Sequence, residues 1–412
     1  MTFWKISALA AAAVLAGSAA DAGCGLKGGN VSFLGNDFPA IQDVVAGAKT
    51  CAGDGVTVSA NLTKDYENLQ VAALTANPAQ YTATHTTTSD IVPLLSAGLL
   101  RPLDDLVAKY GKDLQPQQLI TIDGHVMAVA FMANTQHLFY RKDILAKVGM
   151  EPPKTYEDVL KVAKAVKDAG IMQYPFALNT KAGWNLAEEF VNMYIGEGGS
   201  FFKPGSAEPS IANATGVKTL TMLKDLMAYS NPDYLTYDSN ATQALWESGN
   251  LAIATMWGSR GGAILDDKGS TSDVVSNTVL AGAPTVGGGK IPATTLWWDG
   301  FAIAKNTSDA DAEATFVTMV NAISPANILP HSADSVWLVK GYQPTPASAG
   351  VIATLQEGGA QSYPTFPFMG LMHTALGDTL PKYFQGQETA EQALADVEAA
   401  YTTAAKAKGF LK

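Results

Sequence analysis

From Val31 onward, short runs of β-branched and aromatic residues alternate with stretches in which apolar side chains recur every three to four positions, and a chain written this way folds into open α/β sheets. Val31 to Leu34 reads as a strand, and 39–51 as a helix with Ile41, Val44, Val45 and Ala48 on one face. The strand Val56 to Leu62, a helix at 66–76, the strand Tyr81 to Thr84 and helices at 90–96 and 103–110 continue the order. That order predicts a doubly wound sheet with helices on both faces. After a strand from His125 to Met132, the polar trio Asn134, Thr135 and Gln136 precedes a second apolar run, His137 to Tyr140. We read the trio as a crossing between two lobes.

The second stretch repeats the grammar. Thr155 is placed to cap a helix whose Tyr156, Val159, Leu160, Ala163 and Val166 form a stripe ended by Gly170. A strand from Tyr174 to Leu178, helices at 185–195, 215–229 and 239–248, and a strand from Leu251 to Met256 follow. Residues 281–292, rich in Gly and Pro, read as a surface loop ahead of a strand from Thr294 to Ile303. Turns at Pro344 and Pro346 separate helices at 309–323 and 348–357, and helices at 370–384 and 388–407 end the pattern. No repeat with a period of roughly 20 to 50 residues occurs, which excludes a solenoid.

At 412 residues the chain exceeds the roughly 250 to 300 at which one core splits, so two domains are expected. Lys5, the small apolar run Ile6 to Gly17 and then Ala20-Asp21-Ala22 have the order of a secretory signal cleaved after Ala22, which implies a periplasmic protein. Asp21 stands where a lipoprotein signal wants an aliphatic residue, so Cys24 is expected to carry no lipid. Cleavage removes Lys5 and Asp21, one charge of each sign, and the net charge stays at −11. Such a surface repels nucleic acid and anionic lipid. The two cysteines, Cys24 and Cys51, enter an oxidising compartment. A helix returning along its strand ends near where the strand began, which brings Cys51 back to Cys24 and predicts a disulfide.

Three segments then carry a resemblance: Ser96-Ala97-Gly98-Leu99-Leu100-Arg101-Pro102-Leu103-Asp104, Leu138-Phe139-Tyr140-Arg141-Lys142-Asp143, and Trp246-Glu247-Ser248-Gly249-Asn250-Leu251-Ala252. With Phe301-Ala302-Ile303-Ala304-Lys305, they resemble, in order, landmarks of the carbohydrate-binding extracellular solute-binding proteins, the family of maltose-binding protein. The resemblance implies an α/β, two-lobed periplasmic binding protein fold of type II, each lobe a doubly wound sheet flanked by helices, with three hinge crossings. It divides the chain into 1–22 as signal, 23–134 plus 299–345 as the first lobe, and 135–298 plus 346–412 as the second. It further implies a monomer, without cofactor, that delivers a sugar to the permease subunits of an ABC transporter; presentation to a chemoreceptor is an alternative role for the same cleft.

Ligands of open α/β sheets bind beyond the carboxyl ends of strands, and polarity and aromaticity rank the loops there. Asn36, Asp37 and Phe38 follow the first strand, in a loop the family uses for hydroxyl contacts; Asp37 alternatively caps the helix at Pro39. His85, Thr86, Thr87 and Thr88 follow the third strand and offer donors and acceptors suited to a polyol, ahead of Asp90, a helix cap or a ligand contact. This loop departs from the acid and base of the maltose-binding pattern, so maltose specificity does not transfer. At the crossing stand Asn134, Thr135 and Gln136. Lys181, Trp184 and Asn185 follow a strand of the second lobe, Trp257, Ser259 and Arg260 another, and Trp297, Trp298 and Asp299 precede Phe301. Indole faces bury the C–H faces of sugar rings, whereas Trp246, beside Leu245 on a helix, reads as core. Phe366 and Phe368 correspond to a ligand-stacking position in the family. Arg260 and Lys181 complicate a neutral sugar, because two cations match a carboxylate, sulfonate or phosphate; pairing with Asp299 or Asp37 would restore neutrality. The expected ligand is therefore a mono- or oligosaccharide, a polyol or an acidic sugar.

Enzymatic readings are weaker. Histidines 85, 125, 137, 331 and 373 include no HExxH spacing, and no metal site is expected. Gly23 to Gly28 fits G-x-G-x-x-G but precedes the first strand instead of following it. Lys290 follows three glycines without the Ser or Thr of a phosphate loop, and no G-x-S-x-G elbow occurs. Asp37, Asp90 and Asp299 remain candidates for a glycosidase pair, which the residues alone do not separate from sugar binding.

Overall fold

Twelve strands alternate with helices along the chain of the computed structural model, which describes residues 22–53, 55–356 and 358–412. The expected signal, 1–22, lies outside the described residues except for its last position. In chain order the strands are β1 (Gly29–Gly35), β2 (Val56–Leu62), β3 (Ala83–Thr87), β4 (Leu119–Ile122), β5 (His125–Asn134), β6 (Gln136–Arg141), β7 (Phe176–Ala177), β8 (Ile253–Trp257), β9 (Thr278–Ala281), β10 (Thr295–Ile303), β11 (Val336–Trp337) and β12 (Gln361–Ser362).

They form two sheets. The first runs β11-β5-β10-β3-β1-β2, with β4 beside β5 and β12 beside β10; the second runs β7-β8-β6-β9. β1 is parallel to β2 and β3, as strand–helix–strand units require, but β10 enters antiparallel between β3 and β5. Residues near 300 therefore pair with residues near 85 and 130. The chain leaves the first sheet between Asn134 and Gln136, returns along β10, and departs again after β11.

Side-chain alternation makes each sheet two-faced. In the first, Phe33, Val129, Phe131 and Phe301 pack one way with the helices Pro39–Lys49 and Asp309–Ala322, while Leu34, Ala128 and Ala302 pack the other way with Leu74, Ile91 and Leu94. In the second, Leu138, Phe176 and Ile253 face the helices Trp184–Gly196 and Met369–Thr379, and Phe139, Ala177 and Ala254 face Trp246. Trp246 is core, its indole donating to Thr278 Oγ1 at 3.0 Å.

Three expected elements differ in extent. The third strand runs to Thr87 because β1 and β10 satisfy its backbone on both sides, whatever its polarity. The strand expected at 174–178 shrinks to Phe176–Ala177 at a sheet edge. The helix expected at 370–384 breaks into Met369–Thr379 and Pro381–Phe384, since Pro381 has no N–H to donate. Thr155 caps Tyr156–Asp168 as the sequence predicts, accepting from Asp158 N.

Cys24, just before β1, is bonded to Cys51, just past the helix that returns along it, with Cα atoms 5.0 Å apart. The bridge closes a loop across 27 positions of sequence. Loop-closure entropy of that size is worth roughly 3–4 kcal/mol. Urea unfolding of the wild type and of a Cys24→Ala/Cys51→Ala variant should differ by about that amount, and coincident curves would show that the bridge adds nothing.

Candidate functional site

A cleft of about 530 Å³ opens where strand ends of the two sheets face each other. The first sheet contributes Asn36 and Phe38 after β1, the segment 64–68 after β2, and His85 and Thr87 from β3. The second contributes Lys181, Trp184 and Asn185, then Asp238 to Asn240, and Trp257, Ser259 and Arg260 from the end of β8. Asn134, Trp297 and Asp299 come from the two crossing strands.

One wall is aromatic. Trp184, Trp257 and Trp297 pack on one another, with centroids 6.3 Å (184 to 257), 5.6 Å (184 to 297) and 5.7 Å (257 to 297) apart. The Trp297 indole donates inward to Thr295 Oγ1 at 2.7 Å and Glu188 Oε1 at 3.2 Å, so its N–H is already engaged. Burial raises the Glu188 carboxyl well above its usual range and its neighbour Glu189 to about 8, which favours the protonated acid at Glu189 at pH 7. His373 completes the wall, 5.0 Å from Trp184, with Nε2 2.9 Å from the Trp184 carbonyl and Nδ1 2.8 Å from the Tyr363 hydroxyl. Burial pulls this imidazole down to about 4, so it is neutral. Gly377 makes the contact possible. A Cβ there would stand 2.5 Å from the Gly183 carbonyl oxygen, so a larger residue would push the helix Met369–Thr379 away from Trp184.

The opposite side is polar. His85 Nε2 and Asp299 Oδ1 are 3.0 Å apart, both buried, on the neighbouring strands β3 and β10. Asn134 ties the lobes' strands together: its Nδ2 donates to Ser259 Oγ at 3.2 Å, and its Oδ1 accepts from Ser259 N at 3.2 Å. Glu67 is held to about 8 by burial and by nearby Asp90.

The charged groups are arranged differently from the expectation. Lys181 pairs with Asp238, at 3.5 Å, rather than with Asp37 or Asp299. Arg260 is buried and has no carboxylate within 4.0 Å among the described residues; its Nη1 donates to Gln243 Oε1 at 3.4 Å. Burial lowers its pKa to about 10.

Thirteen of the expected contacts thus line one cleft, and eight do not. Trp298 is the clearest correction: side chains alternate along β10, so Trp297 and Asp299 face the cleft while Trp298 packs on the cluster of Leu34, Tyr66 and Leu94. Phe366 and Phe368 stack on each other and on the edge of Phe202, and Phe366 is half exposed, away from the cleft. Thr86 and Thr88 point aside: Thr86 donates to Asp90 at 2.8 Å, and Thr88 Oγ1 accepts from Trp298 N at 3.2 Å. Thr135 and Gln136 are buried in the crossing, where Thr135 Oγ1 donates to the Thr295 carbonyl at 2.9 Å. Asp37 makes no cap bond; it accepts from Gln42 Nε2 at 2.8 Å beside a smaller pocket. Asp90 also caps nothing that follows, turning back to Thr86, Thr87 N and the Tyr66 hydroxyl.

The sequence reading missed Lys64 to Asn68, Asp238 to Asn240, and His373, Thr374 and Asp378. The first group follows β2, and the strand-end rule alone would have found it; the others lie near the starts or on the faces of helices, which that rule does not inspect. Away from the cleft, the half-buried Asp43, His331 and Asp334 bring potential metal-ligand atoms within 4.8 Å, a meeting of distant residues invisible to local spacing.

The model of the bacterial extracellular solute-binding proteins matches residues 34–322, and the chain belongs to that family. The mannitol-binding protein of Pseudomonas aeruginosa is 25% identical over 346 residues, 76% of this chain and 78% of the relative. Among solved structures, a ribitol-bound ABC transporter solute-binding protein from Agrobacterium radiobacter K84 superposes with a TM-score of 0.80 at 21% identity, over 92% of this chain and 99% of that one. Maltose-bound MalE3 of T. maritima superposes with a TM-score of 0.79 at 18% identity, over 91% and 99%. The fold is therefore that of the two-lobed type II periplasmic binding proteins, and the family consists of binding proteins. Within described residues, no helix is long and apolar enough to cross a membrane.

Proposed function

We propose that this chain is the periplasmic receptor of an ABC importer, exported by a signal cleaved after Ala22, and that it encloses a sugar or polyol between two lobes and delivers it to the permease. The lobes comprise 23–134 plus 299–345 and 135–298 plus 346–412. The observation that carries the reading is the composition of the cleft: three mutually packed indoles face hydrogen-bonding side chains drawn from both sheets. Apolar C–H faces stack on the indoles, and hydroxyls meet Asn, His and Asp groups. The ribitol and mannitol named for its relatives agree in chemistry.

Binding without turnover fits the carboxylates. Asp299 is engaged by His85, Asp90 by Thr86 and Tyr66, and Asp37 lies outside the main cleft, so these three do not form a facing acid pair. A ligand touching both lobes favours the closed form, whereas one touching a single lobe shifts nothing. D-Mannitol, ribitol and maltose should be screened by thermal shift and by small-angle scattering. A ligand at 100 times its dissociation constant should add about 2.7 kcal/mol of apparent stability and reduce the radius of gyration. Hydrolysis of aryl glycosides, or unchanged melting with every sugar and polyol, would refute the proposal.

A further inference from the structure

We infer that the ligand is a sugar acid, a polyol bearing one carboxylate, and that Arg260 receives the carboxylate with Lys64 close by. This rests on the proposed reading of the cleft and narrows it.

Arg260 follows β8 of the second sheet and Lys64 follows β2 of the first. Their charged ends stand 5.7 and 6.0 Å from the centre of one ring, Phe38. Arg260 is only 6% exposed. Its Nε is buried without a hydrogen-bond partner among the described residues, and its Nη1 reaches only Gln243, at the long distance of 3.4 Å. Among the described residues the Lys64 ammonium touches no carboxylate; it donates to Asn36 Oδ1 at 3.4 Å and to the Asp37 carbonyl.

The neighbouring acids Asp238, Glu247 and Asp37 offset the Arg260 charge from a distance but spend their hydrogen bonds elsewhere. Asp238 accepts from Asn240 N and Ala241 N at 3.1 Å each and pairs with Lys181. Glu247 Oε1 accepts from Gln243 at 2.6 Å, and Asp37 accepts from Gln42. Buried charges in proteins are almost always paired, because an uncompensated one carries a desolvation penalty of several kcal/mol. Vicinal hydroxyls of a neutral polyol could accept from the same nitrogens, but none of the three acids that offset the guanidinium charge from a distance bonds its open fork, and hydroxyls would meet that fork without a charge-assisted bond. A carboxylate fills the fork with two parallel charge-assisted bonds, which no protein group makes among the described residues.

Two further points set the kind of anion. Closing the lobes brings Lys64 toward Arg260, a repulsion that one negative charge between them offsets, so the charge itself favours closure. Asp65, Asp238 and Asp378 also line the cleft, and they oppose a phosphate dianion more than a carboxylate.

Calorimetry on the mature chain can compare pairs that differ only in CH2OH against COO⁻: D-glucitol with D-gluconate, and D-mannitol with D-mannonate, with D-glucitol 6-phosphate as a dianionic arm. At least one aldonate should bind on the order of tenfold tighter than its alditol at low salt. Arg260→Gln should abolish that preference, provided its melting curve is native-like. Lys64→Gln, at an exposed position that tolerates change, should reduce the preference by a few-fold. Equal or tighter binding of the alditols would overturn the inference and leave the polyol reading intact. Tighter binding of the phosphate would overturn the single carboxylate, and binding of none of these compounds would overturn the inference while leaving the sugar or polyol reading to the thermal-shift screen.

Discussion

Replacing Trp184 by alanine should weaken binding of the sugar or polyol on the order of 10- to 100-fold while lowering the melting temperature of the ligand-free protein much less than the same change at Trp257 or Trp297. Trp184 opens the helix Trp184–Gly196, is half-buried, and meets Trp257, Trp297 and His373 at the cleft wall. Trp257 and Trp297 are 8% and 6% exposed and belong to the core of the second sheet. Truncating either would cost roughly 3–5 kcal/mol of fold stability, which confounds an affinity measurement. Burial of an apolar face of this size against a ligand is worth about 1.5–3 kcal/mol, hence the expected range. The Trp184 carbonyl still accepts from His373 in the variant, so the backbone of the wall should hold. Trp184→Phe should recover part of the affinity by restoring a flat face. Calorimetric dissociation constants within twofold of wild type for Trp184→Ala would show that the indoles are packing and that the ligand sits elsewhere.

The difference between Trp297 and Trp298 shows where sequence reasoning reached and where it stopped. Both tryptophans are conspicuous, and both sit on a strand; only the phase of the strand decides which one faces the cleft, and a one-residue shift exchanges the faces. The phase is set by pairing with β3 and β5, distant in sequence, including the irregularity at Asp299 and Gly300. The strand–helix alternation of 31–110 was legible because each element follows its own period. The insertion of β10 antiparallel between β3 and β5 was not, since no local pattern reports a neighbour more than 150 positions away. The resemblance supplied that long-range order, and with it the cleft.

The polar residues follow the same rule. Lys181, Trp184 and Arg260 were found because they lie just past strand ends, where backbone geometry points side chains into the crevice. What Arg260 pairs with could not be read, because its potential partners Asp37, Asp238 and Glu247 come from separate elements, and each spends its hydrogen bonds locally and reaches Arg260 only through its field. Phe366 and Phe368 illustrate the converse: an aromatic pair that corresponds to a stacking position in the family packs here on Phe202, so correspondence of position did not carry geometry.

Raising the pH from about 6.5 to 8 should lower the stability of the ligand-free protein by roughly 3 kcal/mol, opposite to the usual gain of proteins whose carboxylates are salt-bridged. Glu67 and Glu189 are each held to about 8, against an ordinary value of 4.5, by burial and, for Glu67, also by Asp90. The folded state keeps their protons and the unfolded chain releases them, so their contribution is complete below pH 4.5 and is lost as pH rises through 8. His137 and His373 act the other way: burial lowers each from 6.5 to about 4, so their contribution is complete above 6.5 and is lost as pH falls toward 4. Between 4.5 and 6.5 the two pairs oppose each other. Above 6.5 the carboxyls dominate, at up to about 1.4 kcal/mol per unit each and half that at pH 8, while the last protons of the unfolded chain's histidines offset a small part. Glu188, raised further still by burial, and Asp43, held to about 7 by burial and Asp334, add in the same direction. Thermal or urea unfolding at pH 6.5 and 8 reads the difference, and Glu189→Gln, which keeps the shape without the proton, should remove about half of the part that Glu67 and Glu189 supply. A stability that is level or rises with pH over this interval would mean that these carboxyls are ionised inside the fold. In that case the inward bond from the Trp297 indole to Glu188 would be made to a buried anion, and the wall of the cleft would rest on charges that no cation nearby compensates.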